Sequence, residues 1–256
     1  MKLNEIYNLA DGVAPFALSR EYCEKYGAYD NSGILIDCGR EITGVLFSLD
    51  CSLRAVEEAK KRNAELLITH HPAIYSPLKA LTADSPVTAC AAAGISVISA
   101  HLNLDCAKGG IDDSLGEALG ADGNALRMHT LSSGGYGSVF AVKPATLKEF
   151  VDGAKAKLRT ERVTVYGTRP VGKVASFCGA GMDEESIAFA ALNGADTFVS
   201  SDAKHHLIAE AVGRDMNVVI FTHYAAENYG FQQFYRKIKE NCPLVRAEYF
   251  TDERFM

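Results

Sequence analysis

The sequence predicts an α/β fold in two lobes with largely parallel sheets. Short, bounded apolar runs alternate with helix-like stretches from about residue 45 onward, as in repeated βαβ units. The polar, Gly-containing stretch Gly120–Gly137 separates two such series. Several of the apolar runs end abruptly in histidines or carboxylates, and a strand's C-terminal end is where open α/β sheets place their ligands.

Residues 1–29 read as a helical lead-in punctuated by Pro15 and Gly27. Asp30-Asn31-Ser32-Gly33 is a polar turn cluster, followed by the brief apolar run Ile34-Leu35-Ile36. Val45–Leu49 is a buried strand. Asp50 or Ser52 can cap the next helix, which runs to about Asn63 with Leu53, Val56 and Ala59 along one stripe. The strand Leu66-Leu67-Ile68-Thr69 stops at His70-His71-Pro72, because proline cannot donate to a sheet ladder. Ser85-Pro86 opens an alanine-rich helix that stops at Gly94. Ile95–Ala100 is a strand ending in His101-Leu102-Asn103-Leu104-Asp105. Gly109-Gly110 turns the chain, and Asp112 or Asp113 caps a helix to about Leu119.

A second series starts with the strand Ser138–Val142. Thr146-Leu147-Lys148-Glu149 has the form of a capping box and opens a helix to about Leu158. Val163–Tyr166 and Val174–Phe177 are strands. Gly179 and Gly181 lead into a helix capped by Asp183 and closed by Gly194; the glycines suit either a phosphate cradle or a tight turn. Thr197–Ser200 is a strand running into Ser201-Asp202-Ala203-Lys204-His205-His206. Asn217–Phe221 is another, ending in Thr222-His223-Tyr224-Ala225-Ala226-Glu227, where a helix to about Lys239 begins. Leu244–Tyr249 is a final strand. The expected lobes are 1–127, with His70, His71 and Asp105, and 128–256, with His223 and Glu227; the C-terminal segment is able to pack back on the first.

Bulk properties narrow the classes. Hydrophobic residues make up 48 % and charged residues 23 % of the 256, an ordinary globular balance. A net charge of −6 argues against a general nucleic-acid binder. No apolar run reaches the roughly 18 residues of a membrane span. The N-terminus lacks the apolar core of a signal peptide. The 7 cysteines are scattered without a CxxC, which fits reduced thiols in a cytoplasmic protein better than a disulfide framework.

The chemistry concentrates at the strand ends: His70-His71, His101 with Asp105, His223 with Glu227, and His205-His206. His223 and Glu227 are four apart, so on a helix they share a face. A mixed histidine and carboxylate set favours zinc, iron, manganese or cobalt over calcium. Without cysteine, a structural zinc–thiolate site is not indicated. His129 stands alone and reads as a surface residue.

Taken together, Asp30-Asn31-Ser32-Gly33, Ile68-Thr69-His70-His71-Pro72, Ser99–Asp105, Gly109-Gly110, Asp196…Ser201–His206 and His223–Glu227 resemble the Nif-three-like dinuclear metal-centre family, also labelled type-two GTP cyclohydrolase I-like. The resemblance runs from about Asp30 to Phe250. It departs at Leu35-Ile36-Asp37-Cys38-Gly39, where the family more usually has Leu-Gln-Val-Gly. The chain matches the compact form without a middle insert. The resemblance implies two divalent ions per chain in the cleft between the lobes, held by His70, His71, Asp105, His223 and Glu227, with Glu227 bridging. It puts His101 beside the centre, as an extra ligand or an outer-shell group. His205 and His206 become acid/base candidates, set against a plain solvent-facing helix start. A homohexamer is implied as well.

Two functions of different class follow. One is a metal-dependent hydrolase of a small molecule, with a nucleotide among the candidates from the family label. The other is a metal-binding, metal-delivery or interaction protein without turnover. An enzyme needs an open coordination position, whereas a storage site can be closed.

Overall fold

A computed structural model describes all 256 residues. The chain forms two compact units, Met1–Ala107 with Phe231–Thr251, and Lys108–Gly230 with Asp252–Met256. The first begins with helices α1 (Leu3–Val13) and α2 (Ala17–Tyr26). Then come β1 (Gly33–Ile36), β2 (Gly44–Ser48), α3 (Leu53–Lys61), β3 (Leu66–Thr69), α4 (Pro86–Ala93), β4 (Ser96–Ser99) and the short α5 (Leu102–Cys106). The second unit holds α6 (Ile111–Ala118), β5 (Ala121–Leu131), β6 (Gly134–Ala145), α7 (Leu147–Leu158), β7 (Val163–Tyr166) and β8 (Val171–Ser176). It continues with α8 (Glu184–Leu192), β9 (Thr197–Ser200), α9 (His205–Gly213) and β10 (Asn217–Phe221). Helix α10 (His223–Asn241) begins in the second unit and continues into the first, where β11 (Arg246–Phe250) follows.

The first sheet has the order β1-β4-β3-β2-β11, parallel throughout except for the antiparallel edge β1. Every residue of β2, β3 and β4 is buried, as expected for parallel strands covered on both faces. Leu46, Leu67 and Val97 pack against Val56, Ala59 and Cys90 of the flanking helices. Phe47 of β2 meets Phe231, Phe234 and Tyr235 of α10, with ring centroids 5.2–6.2 Å apart. The second sheet has the order β5-β6-β8-β9-β10-β7, with β8, β9 and β10 parallel and the outer strands antiparallel. Its core gathers Phe177, Ile187, Phe198, Leu207, Met216 and Val218.

Three local expectations need correction. The stretch 120–137 is no linker: it forms most of a long hairpin, β5 and β6, turning at Ser132-Ser133. Residues 121–126 are exposed, so they lack the alternation that reveals a half-buried strand. The units divide at 107/108 rather than 127/128, because α6 packs on β5, β6 and β8. Asp112 and Asp113 do not cap α6; Gly110 is the N-cap, and both aspartates lie in the first turn. Asp112 is buried, bound by Arg127, by Ser138 Oγ at 3.0 Å and by the Cys178 amide at 3.3 Å. Ser52, and not Asp50, caps α3 by accepting from the Ala55 amide at 3.1 Å.

Candidate metal centre

In the first unit, sheet register brings the histidines together. Thr69 and Ser99 are partners at the ends of the parallel strands β3 and β4, and their hydroxyls share a 2.7 Å hydrogen bond. His70 and His71 follow one strand, Ala100 and His101 the other. The amides of His70 and His71 both donate to Leu49 O at 3.1 Å, which turns the chain away from the strand. Helix α5 starts at His101, whose carbonyl accepts from the Asp105 amide at 2.9 Å, and this brings Asp105 back toward the strand ends. His70 Nε2 lies 3.4 Å from Asp105 Oδ1, and both residues are buried. The rings of His70, His71 and His101 have centroids 4.9–5.8 Å apart, and one nitrogen from each falls within 4.8 Å of the others.

Each imidazole is oriented through Nδ1. His70 donates to Ala100 O at 2.8 Å, His71 to Asp50 Oδ1 at 2.7 Å and His101 to Asp30 Oδ1 at 2.7 Å. A metal-ligating histidine typically has its second N–H tied to a carboxylate or carbonyl in this way. Three imidazoles this close cannot all be protonated without repulsion, whereas the neutral Nε2 atoms of His70 and His71 beside the Asp105 carboxylate suit a cation. The residues present therefore fit a metal ion. Burial raises the Asp30 carboxyl, but hydrogen bonds from His101, Ser19 and Ser32 outweigh it and hold the pKa down at about 2. Burial lowers His101, but the bond from Asp30 and the charges of Asp105 and Asp30 raise it above its ordinary value.

The second unit repeats the device. The parallel strands β8, β9 and β10 end side by side and lead into Gly179, Asp202 and His223. His223 opens α10, and Glu227 follows one turn later with Oε1 3.0 Å from His223 Nε2. His223 Nδ1 donates to Asp202 Oδ2 at 2.8 Å. Gly179 has a left-handed φ of +62°, and its carbonyl accepts from Ser200 Oγ and from the Ser201 amide, both at 3.2 Å. A Cβ at Gly179 would sit 2.7 Å from Glu227 Oε1, so only glycine lets the turn approach the carboxylate.

His205 and His206 are exposed at the start of α9; His206 faces Glu184 at 4.0 Å, and neither joins the histidine–carboxylate clusters. His129 is half-buried rather than on the surface, stacked on Tyr136. Sequence reasoning missed the orienting carboxylates. Asp30 and Asp202 stand in the motifs that carry the family resemblance but with no partner assigned, and Asp50 reads as a cap. Their one available signal was position, since each lies just before or just after a strand.

Fold and site together define a two-unit α/β protein with histidine and carboxylate clusters able to bind a metal ion. The Duf34/NIF3 (NGG1p interacting factor 3) profile matches residues 1–253, and the chain belongs to that family. The resemblance read from the motifs therefore holds. A Clostridium perfringens protein named GTP cyclohydrolase 1 type 2 homolog is 29 % identical over 250 residues, 94 % of this chain and 92 % of the relative. A Campylobacter jejuni protein of the same name is 30 % identical, spanning 95 % of this chain and 94 % of its own. Among solved structures, a Staphylococcus aureus hypothetical protein superposes with a TM-score of 0.85 at 24 % identity, covering 100 % of this chain and 99 % of the other. Reduced HcgD from Methanocaldococcus jannaschii gives 0.82 at 28 % identity, covering 97 % of each.

Proposed function

We propose that the protein is a hydrolase of a small molecule, working with two divalent ions (zinc, iron, manganese or cobalt) held by His70, His71, Asp105, His223 and Glu227. The observation that carries this reading is the shared fixation of Nδ1 on His70, His71 and His223, which leaves Nε2 as the donor in each. In this reading Glu227 would bridge the ions.

When bound, two such ions would lower the pKa of a water and offset charge on both oxygens of a displacement. The chain's own residues do the rest. Asp30 fixes the ring of His101, leaving Nε2 to exchange a proton with substrate. His205 and His206, exposed and shortly beyond Asp202, are assigned proton exchange with bulk water. Side-chain exposures of 27 % for His71, 21 % for His101 and 31 % for His223 favour turnover over storage, since a closed site would bury all three.

The names of the relatives put a nucleotide first among substrates. No helix is long and apolar enough to cross a membrane. We place the protein in the cytoplasm, where its cysteine thiols would stay reduced, and expect a homohexamer. A monomer by light scattering at micromolar concentration would contradict that assembly. The test of function is elemental analysis of protein purified without added metal, then a hydrolysis screen of nucleotides, phosphoesters and amides on the reconstituted chain. Turnover that is lost with chelator and in His71→Ala is expected. A chain that holds its metal and turns over none of them contradicts the hydrolase reading.

A further inference from the structure

Between β3 and α4 the chain runs from His70 to Ser85 without regular structure, longer than most connections in compact domains. Its first part is pinned. The Ala73 amide donates to Ser99 Oγ at 3.2 Å, Asn31 Nδ2 donates to Ile74 O at 2.5 Å, and the Tyr75 hydroxyl donates to Tyr29 O at 3.1 Å. These bonds hold the Tyr75 ring 6.4 Å from that of His101, at 88°. Tyr29 meets Tyr75 edge to face, with centroids 5.4 Å apart. Tyr29 also directly precedes Asp30, which orients His101.

Both tyrosines stay half open, Tyr75 at 50 % and Tyr29 at 54 % exposed. Large aromatic side chains usually spend their apolar surface on packing. Here hydrogen bonds and an edge-to-face contact place two rings beside a polar cluster with about half their surface uncovered. The Tyr75 hydroxyl is already committed to Tyr29 O, so what the residue offers a ligand is ring surface.

We propose that Tyr75, backed by Tyr29, is a wall of the substrate pocket, and that the substrate carries a planar aromatic or heteroaromatic ring that stacks there. Its polar end then faces His70, His71 and His101. This inference rests on the metal-centre reading above and adds to it the class of molecule the site accepts.

Benzohydroxamate and acetohydroxamate test it, because they share a metal-chelating group and differ by a phenyl ring. Calorimetry on the metal-loaded full chain should give roughly tenfold tighter binding of benzohydroxamate, the scale of one ring stacked on an aromatic side chain. Tyr75→Leu should abolish that preference with acetohydroxamate affinity and metal content unchanged. Tyr75→Phe, which keeps the ring, should retain it. A preference that survives in Tyr75→Leu, or a Tyr75→Leu effect that weakens both probes alike, overturns the inference. If a chain shown to hold its metal binds neither probe, the inference fails and the metal reading stands. If the wild-type chain holds no metal, the metal reading fails and takes the inference with it.

Discussion

The Asp30 carboxylate accepts a hydrogen bond from His101 Nδ1 across 2.7 Å, with the Asp30 side chain fully buried. Ser19 and Ser32 donate to its other oxygen. A turn residue of the sequence thus becomes the fixed partner of a histidine 71 positions away.

That network gives a pH signature. The pKa of Asp30 is depressed from its ordinary 3.8 to about 2, so its contribution is present above pH 4 and is lost as pH falls through about 2. The full effect is about 2 kcal/mol. In metal-stripped protein, the stability advantage of wild type over Asp30→Asn should shrink as pH falls from 5 toward 2. Urea unfolding at several pH values measures it, and an advantage constant across that window contradicts the assignment.

Asp50 holds His71 from a partly exposed position and does not cap α3, so its loss should spare the fold. Asp50→Ala should weaken metal retention by about 10–100-fold, the usual effect of removing an orienting partner. Competition with a chelator reads this directly, and an unchanged midpoint would mean that Asp50 does not orient a ligand.

Gly179→Ala combines a strained left-handed φ with a Cβ pushed against Glu227 Oε1. We expect a loss of about 1–3 kcal/mol in thermal or urea unfolding, with reduced metal content per chain. Wild-type stability together with wild-type metal content would show that the turn has room to spare.

Arg127 is bonded to Asp112, Asp113 and Ser138, and the Asp112 side chain is fully buried. Arg127→Met strands that carboxylate and should cost about 3–5 kcal/mol. The double variant Arg127→Met with Asp112→Asn should recover part of the loss in urea unfolding. No recovery would mean that packing by the arginine stem, and not its charge, is what matters.

The ligand types were legible because His70, His71, His101 and His223 each end an apolar run, and strand ends in α/β sheets converge. The orienting groups were not, because their partners are chosen by register. Asp30 reaches His101 only because β1 pairs antiparallel with β4, matching Gly33 to Ser99, and no local pattern encodes that match. Asp202 reaches His223 because β9 and β10 are parallel neighbours. The β5–β6 hairpin escaped notice for another reason. Its outer strand is largely exposed at the sheet edge and therefore carries polar and glycine residues that read as a linker. The same polar and glycine residues look like a gap between lobes, although α6 packs on this hairpin and the division falls before it, at 107/108.

If Glu227 bridges two ions as proposed, each chain holds two, and metal stoichiometry reads that number. Glu227→Gln keeps the shape but removes the charge that would offset repulsion between two neighbouring cations. Glu240→Gln, an exposed site in the last turn of α10, is the control. Elemental analysis after metal reconstitution and desalting should find two ions per chain in wild type and in Glu240→Gln, and at most one in Glu227→Gln. One ion or none in the metal-replete wild type, or two tightly held ions in Glu227→Gln, would contradict the account.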